Sequence, residues 1–174
     1  MILTKTQPDV DVEVEVSIFS IEFESLGGDS VKKQEVEKDK TATEPTSPTK
    51  TGYTFDGWYT ESSYSNKVTA IEKGNTGDKK FYAKWTKVKK PSRPSVASVK
   101  NDGKKKMTVK LKKKVSGAKG YEMIYSTDKK FKQNAKTVRF SSLSKTVSKL
   151  KKGTTYYVKV RAYKLDSTNN RVNG

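Results

Sequence analysis

The sequence predicts a mainly β protein, and three features of the chain support that prediction. Apolar and polar residues alternate along short segments such as 107–111 and 156–162, which is the period of a strand with one buried face. Glycines and prolines interrupt these segments, as expected of turns between strands. Aromatic residues make up 10% of the chain, and side chains of this size can form small cores.

The first segment, residues 1–15, is interpreted as an acidic leader strand or as the end of a preceding domain. Residues 8–16 read P-D-V-D-V-E-V-E-V, so the predicted strand has one apolar face and one anionic face. The carboxylates leave a calcium site open as an alternative, although their spacing is not that of an EF-hand loop.

Three further strands are predicted before the middle of the chain. Residues 17–24 continue the alternation, and Gly27-Gly28 ends that strand. Residues 31–36 form a returning strand. The closing strand, residues 81–85, places three apolar side chains on one face: Phe81, Ala83 and Trp85.

Residues 49–60 hold four large rings and are predicted to nucleate a core. Tyr53 and Phe55 alternate and can share one side of a strand, whereas Trp58 and Tyr59 are expected to straddle a turn with at least one ring inward. Stacking on sugars or bases is the alternative. Packing is favoured because no Arg or Asn lies beside the rings.

Several of these residues together resemble an internalin-type B repeat, a small module of bacterial surface proteins. The resemblance covers residues 16–86 and rests on Gly27-Gly28, G-Y-T-F-D-G-W-Y at 52–59 and F-Y-A-K-W at 81–85. It implies a β-grasp-like fold for this part of the chain.

Residues 87–94 contain two prolines and a run of lysines, which predicts a short, stiff linker. Charge changes across it. Residues 1–90 carry 14 basic and 15 acidic residues, whereas residues 91–174 carry 23 and 4. The whole excess of the net charge of +18 therefore belongs to the second half.

Residues 95–174 form a second predicted domain, a β-sandwich built from short strands. The sequences L-K-K-G-T-T-Y-Y-V-K-V-R-A-Y at 150–163 and G-Y-E-M-I-Y-S-T at 120–127 resemble a fibronectin type III domain. The resemblance implies that the Tyr156 hydroxyl bonds back to nearby backbone, and it places Leu111 where the family carries a core tryptophan. Little chain follows Leu165, so we expect a truncated last strand and a fragment of a longer protein.

The residue types present exclude several kinds of catalysis. The chain has no His and no Cys, so it cannot form a Ser–His or Cys–His nucleophile or a Cys/His zinc site. It contains neither a P-loop nor a G-x-S-x-G motif. We expect no enzymatic activity, no cofactor and no metal. A lysine–asparagine cross-link, found in some bacterial surface sandwiches, stays open.

The basic second half supplies the candidate binding residues, which we call the basic set. Such a surface attracts polyanions, for example acidic glycans, teichoic acid or nucleic acid. Lysine predominates, which makes nucleic acid the least favoured of these partners. A solvating coat that protects strand edges is the alternative. The basic set comprises Lys104, Lys105, Lys106, Lys110, Lys112, Lys113, Lys114, Lys159 and Arg161.

These observations predict a non-enzymatic spacer or adhesion segment of an extracellular, wall-attached or cell-surface bacterial protein. Its expected partners are other domains of the same longer chain and host-surface or cell-wall polymers. The segment lacks an apolar run long enough to span a membrane. The alternatives are a polyanion-binding module and the accessory domains of an extracellular hydrolase.

Overall fold

The computed structural model describes residues 15–38, 40–69 and 77–174. These residues form eleven β-strands and contain no α-helix, so the mainly β prediction is confirmed. Accordingly, no helix within these ranges is long and apolar enough to cross a membrane. The strands are β1 (Ile18–Glu24), β2 (Gln34–Glu37), β3 (Tyr53–Tyr59), β4 (Lys79–Lys87), β5 (Val96–Asn101), β6 (Met107–Leu111), β7 (Gly120–Ser126), β8 (Lys136–Phe140), β9 (Ser144–Val147), β10 (Tyr157–Leu165) and β11 (Arg171–Asn173).

The first four strands form one mixed sheet in the order β2-β1-β4-β3. β1 runs antiparallel to β2 and parallel to β4, with Ile21 opposite Lys79 and Phe23 opposite Phe81. The strands predicted over 17–24, 31–36 and 81–85 are present with shifted bounds. Most of the predicted strand at 8–16 lies outside the described residues, and Glu15 and Val16 are in no strand.

The chain divides into two compact units. One comprises the described residues up to Leu26 and those within Ser30–Thr46 and Gly57–Ala83, and the other comprises Gly27–Asp29, Ser47–Asp56 and Lys84–Gly174. In the first unit the Phe23 ring packs against Trp58 at 5.1 Å and Phe81 at 5.9 Å between ring centroids. Ring contacts of this kind hold a core that has no disulfide.

The aromatic motif at 53–59 is one continuous strand, β3. Trp58 and Tyr59 are both buried, which confirms that at least one ring falls inward. The predicted turn between them is wrong. Gly57 sits within the strand at φ +126°, a conformation that L side chains rarely adopt. Different neighbours cover the two adjacent rings: Trp58 packs against Phe23, and Tyr59 packs against the Tyr64 ring at 5.5 Å between centroids.

Gly28 lies against the Trp85 ring in the second unit. A Cβ added at this glycine would meet the Trp85 Cζ2 atom at 2.4 Å and the Thr49 carbonyl oxygen at 3.1 Å. The ring can therefore take this position only because residue 28 has no side chain. The double glycine and the Y-A-K-W motif, which are separated by 53 intervening residues, meet at this contact.

The remaining strands form two sheets that enclose one core. The order is β5-β6-β9 in one sheet and β11-β10-β7-β8 in the other. Both sheets contribute to the core, which confirms the predicted sandwich-like fold. Its buried members are Met107, Val109, Leu111, Tyr121, Met123, Tyr125, Phe140, Val147 and Ala162.

Two details of the sandwich bear on the sequence-based expectations. The Tyr156 hydroxyl accepts a hydrogen bond from the backbone N–H of Lys151 at 3.2 Å, so the expected bond to nearby backbone is present. Leu111 is buried at 1% exposure and fills its core position. The three-residue strand β11 follows Leu165 and pairs antiparallel with β10.

The Gly28–Trp85 contact yields a stability prediction. We expect Gly28→Ala to lower the free energy of unfolding by about 1–3 kcal/mol, because the added methyl group overpacks the ring. Urea unfolding monitored by tryptophan fluorescence measures the loss. In a Trp85→Leu background the same substitution should cost less, and an equal cost in both backgrounds would contradict the contact.

Candidate functional site

Seven lysines of the basic set lie on or beside β6. Lys104, Lys105 and Lys106 occupy the turn before β6, Lys110 points outward from the strand, and the 112–114 triplet follows it. All seven are exposed. The two triplets are roughly 20 Å apart along the strand, which exceeds the screening length of about 8 Å at physiological salt. They are therefore two separate basic patches.

Lys159 and Arg161 lie on β10, in the other sheet of the sandwich. The Lys159 ammonium group sits 4.3 Å from the centroid of the Phe131 ring. Because the two sheets share one core, their solvent faces point away from each other. The structure therefore divides the basic set between two faces.

Arg161 belongs instead to a tight ionic cluster centred on Glu122, which we call the arginine cluster. Its Nε donates to Glu122 Oε2 at 2.9 Å, and its Nη2 lies 2.8 Å from the same oxygen. Arg139 Nε and Arg171 Nε each lie 3.1 Å from Glu122 Oε1. Three guanidinium groups thus share one carboxylate, and the arginine cluster carries a net charge of +2.

Strand register explains this convergence. Glu122 on β7 lies directly opposite Arg139 on β8 and Arg161 on β10, so the carboxylate is flanked from both sides. Side chains directly opposite each other on one face have Cβ atoms about 5 Å apart, within reach of an ion pair. Arg171 approaches from the edge strand β11. Its guanidinium carbon is 6.0 Å from the Tyr163 ring centroid.

Burial differs sharply within the arginine cluster. The Glu122 side chain is 3% exposed, whereas those of Arg139, Arg161 and Arg171 are 53%, 42% and 40% exposed. Burial alone would raise the pKa of the Glu122 carboxyl. Hydrogen bonds from Arg161 and Arg139, together with the charges of Arg161 and Arg171, outweigh it, so this pKa lies below its ordinary value of 4.5.

Two other carboxylates of the sandwich are held by hydrogen bonds. Asp166 accepts from the Gly52 N–H at 2.7 Å, the Thr168 hydroxyl at 2.6 Å and the Asn170 N–H at 2.9 Å. Burial acts to raise the pKa of Asp166, but these bonds lower it further than burial raises it. Backbone N–H groups of Lys130, Lys132 and Gln133 lower the pKa of Asp128. Both groups therefore stay ionised at neutral pH.

A second basic feature of this unit is an open groove of about 660 Å³. Four lysines border it and apolar residues form part of its lining. The lysines are Lys87, Lys89, Lys119 and Lys164, and the apolar residues are Val88, Ala118 and Leu165.

Sequence reasoning nominated Arg161 but missed Glu122, Arg139 and Arg171. Arginine scarcity was an available signal, because the chain has four arginines against 33 lysines. Their convergence depends on cross-strand register, which the sequence alone does not specify. Among the described residues, no group of three or more carboxylates could hold a metal ion. The acidic residues of the calcium alternative lie mostly outside the described ranges.

Comparison with known proteins finds one family match, which lies in the first half of the chain. Residues 19–84 match the family model of the Listeria-Bacteroides repeat domain. This is a bacterial surface repeat. The matched range includes all of β2 and of the aromatic strand β3, all of β1 except Ile18, and most of β4.

Two proteins of Evansella cellulosilytica share a 71-residue stretch with this chain. One, described as "Putative Gly-rich membrane protein", is 35% identical over that stretch, which covers 41% of this chain and 8% of the relative. The other, described as "Putative membrane protein", is 34% identical, with 41% and 11% covered. The chain thus spans about a tenth of the length of these relatives.

The lowered pKa of Glu122 makes the stability of the sandwich pH-dependent. A carboxyl with a depressed folded-state pKa contributes stability that is fully present above its ordinary pKa and lost as pH falls through the folded-state value. We expect Glu122→Gln to cost about 2 kcal/mol at pH 7, because the arginines lose their counter-charge. The cost should shrink as pH falls below about 4.5.

Urea unfolding of both proteins between pH 7 and pH 3, followed by amide NMR signals of the sandwich strands, measures this cost. Asp128 and Asp166 titrate in both proteins, so their effects cancel in the difference. A constant gap across this pH range would show that Glu122 contributes no linked stability.

Proposed function

We propose that this chain is a non-enzymatic spacer or adhesion segment of a bacterial cell-surface or wall-attached protein. The main support for this proposal is the match of residues 19–84 to a bacterial surface repeat. The mixed sheet with parallel β1 and β4 fits the β-grasp-like module of an internalin-type B repeat. The printed descriptions of the two relatives both contain the words "membrane protein", which supports a place in the cell envelope.

A fibronectin type III-like domain is the proposed assignment for the second half. Sheets of three and four strands around one core support it, as does the bond from the Lys151 N–H to the Tyr156 hydroxyl. A repeat module followed along the chain by a sandwich module suits a spacer that holds other domains away from the cell surface.

We also propose that this chain has no enzymatic activity, because the carboxylates described above are ionised and already paired or hydrogen-bonded. The chain has no His or Cys to serve as base or nucleophile. Glu122 is ion-paired, and hydrogen bonds lower the pKa values of Asp128 and Asp166. A general acid for glycoside hydrolysis needs a raised pKa instead. The alternative is that these are accessory domains of an extracellular hydrolase, whose catalytic domain would be a different part of the protein.

The surface location has a direct test. Antibodies against this chain should label intact cells of the producing bacterium as strongly as lysed cells, because an outward-facing segment needs no permeabilisation. Protease added to intact cells should remove the signal. A cytoplasmic protein serves as the control, and labelling that requires lysis would refute the surface role.

A second candidate function, polyanion binding by the basic set, is favoured by the 23 basic and 4 acidic residues of 91–174. Exchanging Lys112, Lys113 and Lys114 for Glu in the full chain should lower the salt concentration that elutes it from heparin. The same exchange at three exposed lysines of the first unit, Lys32, Lys38 and Lys40, is the charge-matched control. Equal shifts in both variants would indicate net charge alone and would refute a site at Lys112–Lys114.

A further inference from the structure

The arginine cluster concentrates a scarce residue type. Three of the four arginines in the chain meet at Glu122, whereas the 33 lysines are spread widely. Neutralising a single carboxylate requires one cation, so two of the three charges are not explained by Glu122. The surplus sits on side chains that are about half exposed.

The arginines also carry more hydrogen-bond donors than Glu122 can accept. Three guanidinium groups carry about fifteen N–H donors, whereas an ionised carboxylate offers about four acceptor sites. Glu122 therefore satisfies only a minority of them. The remaining N–H donors lie at a solvent face, where an external anion can accept hydrogen bonds from them.

Glu122 also fixes the arginines in place. Its buried side chain contacts all three at 2.8–3.1 Å, and Tyr163 flanks Arg171. Holding side chains in position before binding lowers the entropy lost when a ligand arrives. The result is a preorganised group of planar forks, the geometry with which arginine binds phosphate oxygens in pairs.

The sheet face around the arginine cluster favours an extended anionic polymer as the ligand. The arginine cluster lies on a sheet face, and such a face fits an extended polymer better than an enclosed small molecule. Lys159, two residues before Arg161 on the same face of β10, supplies another positive charge about 7 Å along the strand. The ring of Tyr163 is flanked by Arg171, which leaves it less available for stacking on a nucleic acid base.

We infer that the arginine cluster, with Lys159, is a binding site for the phosphate groups of a polyol-phosphate polymer of the cell wall. The inference rests on the proposed wall location and deepens it by naming a ligand chemistry and a face. It places the site on the β11-β10-β7-β8 sheet, opposite to the lysine patches beside β6.

The test measures binding of the full chain to synthetic poly(glycerol phosphate) at about 0.15 M salt, where exposed charges more than about 8 Å apart are screened. The main variant is R139K/R161K/R171K, which keeps every charge and removes only the guanidinium forks. We expect its affinity to fall about tenfold or more, since lysine cannot bind phosphate in the bidentate mode. Unchanged affinity would overturn the site.

Two further variants make the result specific. K112Q/K113Q/K114Q removes three charges from the other sheet and should bind nearly as well as the original chain; a loss as large as that of the arginine variant would overturn the site. R171Q leaves Arg139 and Arg161 to neutralise Glu122, so this variant should fold. Its affinity for poly(glycerol phosphate) should nevertheless be several-fold lower than that of the original chain. If the triple variant fails to fold, R171Q decides the question, and unchanged binding by it overturns the site.

Comparison ligands establish the chemistry. Heparin and single-stranded DNA, at matched phosphate or sulfate concentration, should bind more weakly than poly(glycerol phosphate). Tighter binding to either would overturn the assignment to a polyol phosphate. Failure of the original chain to bind poly(glycerol phosphate) would also overturn it, while labelling of intact cells decides the surface role independently.

Discussion

The sandwich of the second unit depends on one apolar layer that its two sheets bury. Val109, Met123 and Ala162 have no exposed surface, and the chain has no disulfide to replace the stability that their burial supplies. Every second residue of the inner strands is therefore committed to this layer. Charged and polar side chains are left the outward positions, and the arginine cluster and the lysine patches form there.

The same constraint explains why a carboxylate can be buried on an outward face. Glu122 sits at a solvent-side position of the central strand β7, yet arginines from β8, β10 and β11 cover it. Removing a carboxylate from water is costly unless cations pair with it, and here three do. Its burial is therefore a product of the strands on either side of β7, and the cations that cover it keep a surplus of charge at the surface.

Much of the fold followed from period-two alternation, which placed Met107–Leu111 correctly and found β10 from the 156–162 segment with shifted bounds. The Tyr156 bond followed from a family motif. The turn at Trp58-Tyr59 was wrong because the strand continues through both residues, and a different neighbouring ring covers each of them, Phe23 for Trp58 and Tyr64 for Tyr59. Of the four residues of the arginine cluster, only Arg161 was predicted. Alternation shows which face of the sheet a side chain takes, but not which residue lies opposite it on the next strand.

The parallel pairing of β1 with β4 has a mechanical consequence. The chain enters the sheet at Ile18 and leaves it at Lys87, and in a parallel pair these two points lie at opposite ends. Tension along the chain therefore slides the strands past each other and loads their hydrogen bonds together, whereas a hairpin pulled from its open end loses them one at a time. A module connected in this way resists stretching along the chain more strongly than a hairpin of the same length.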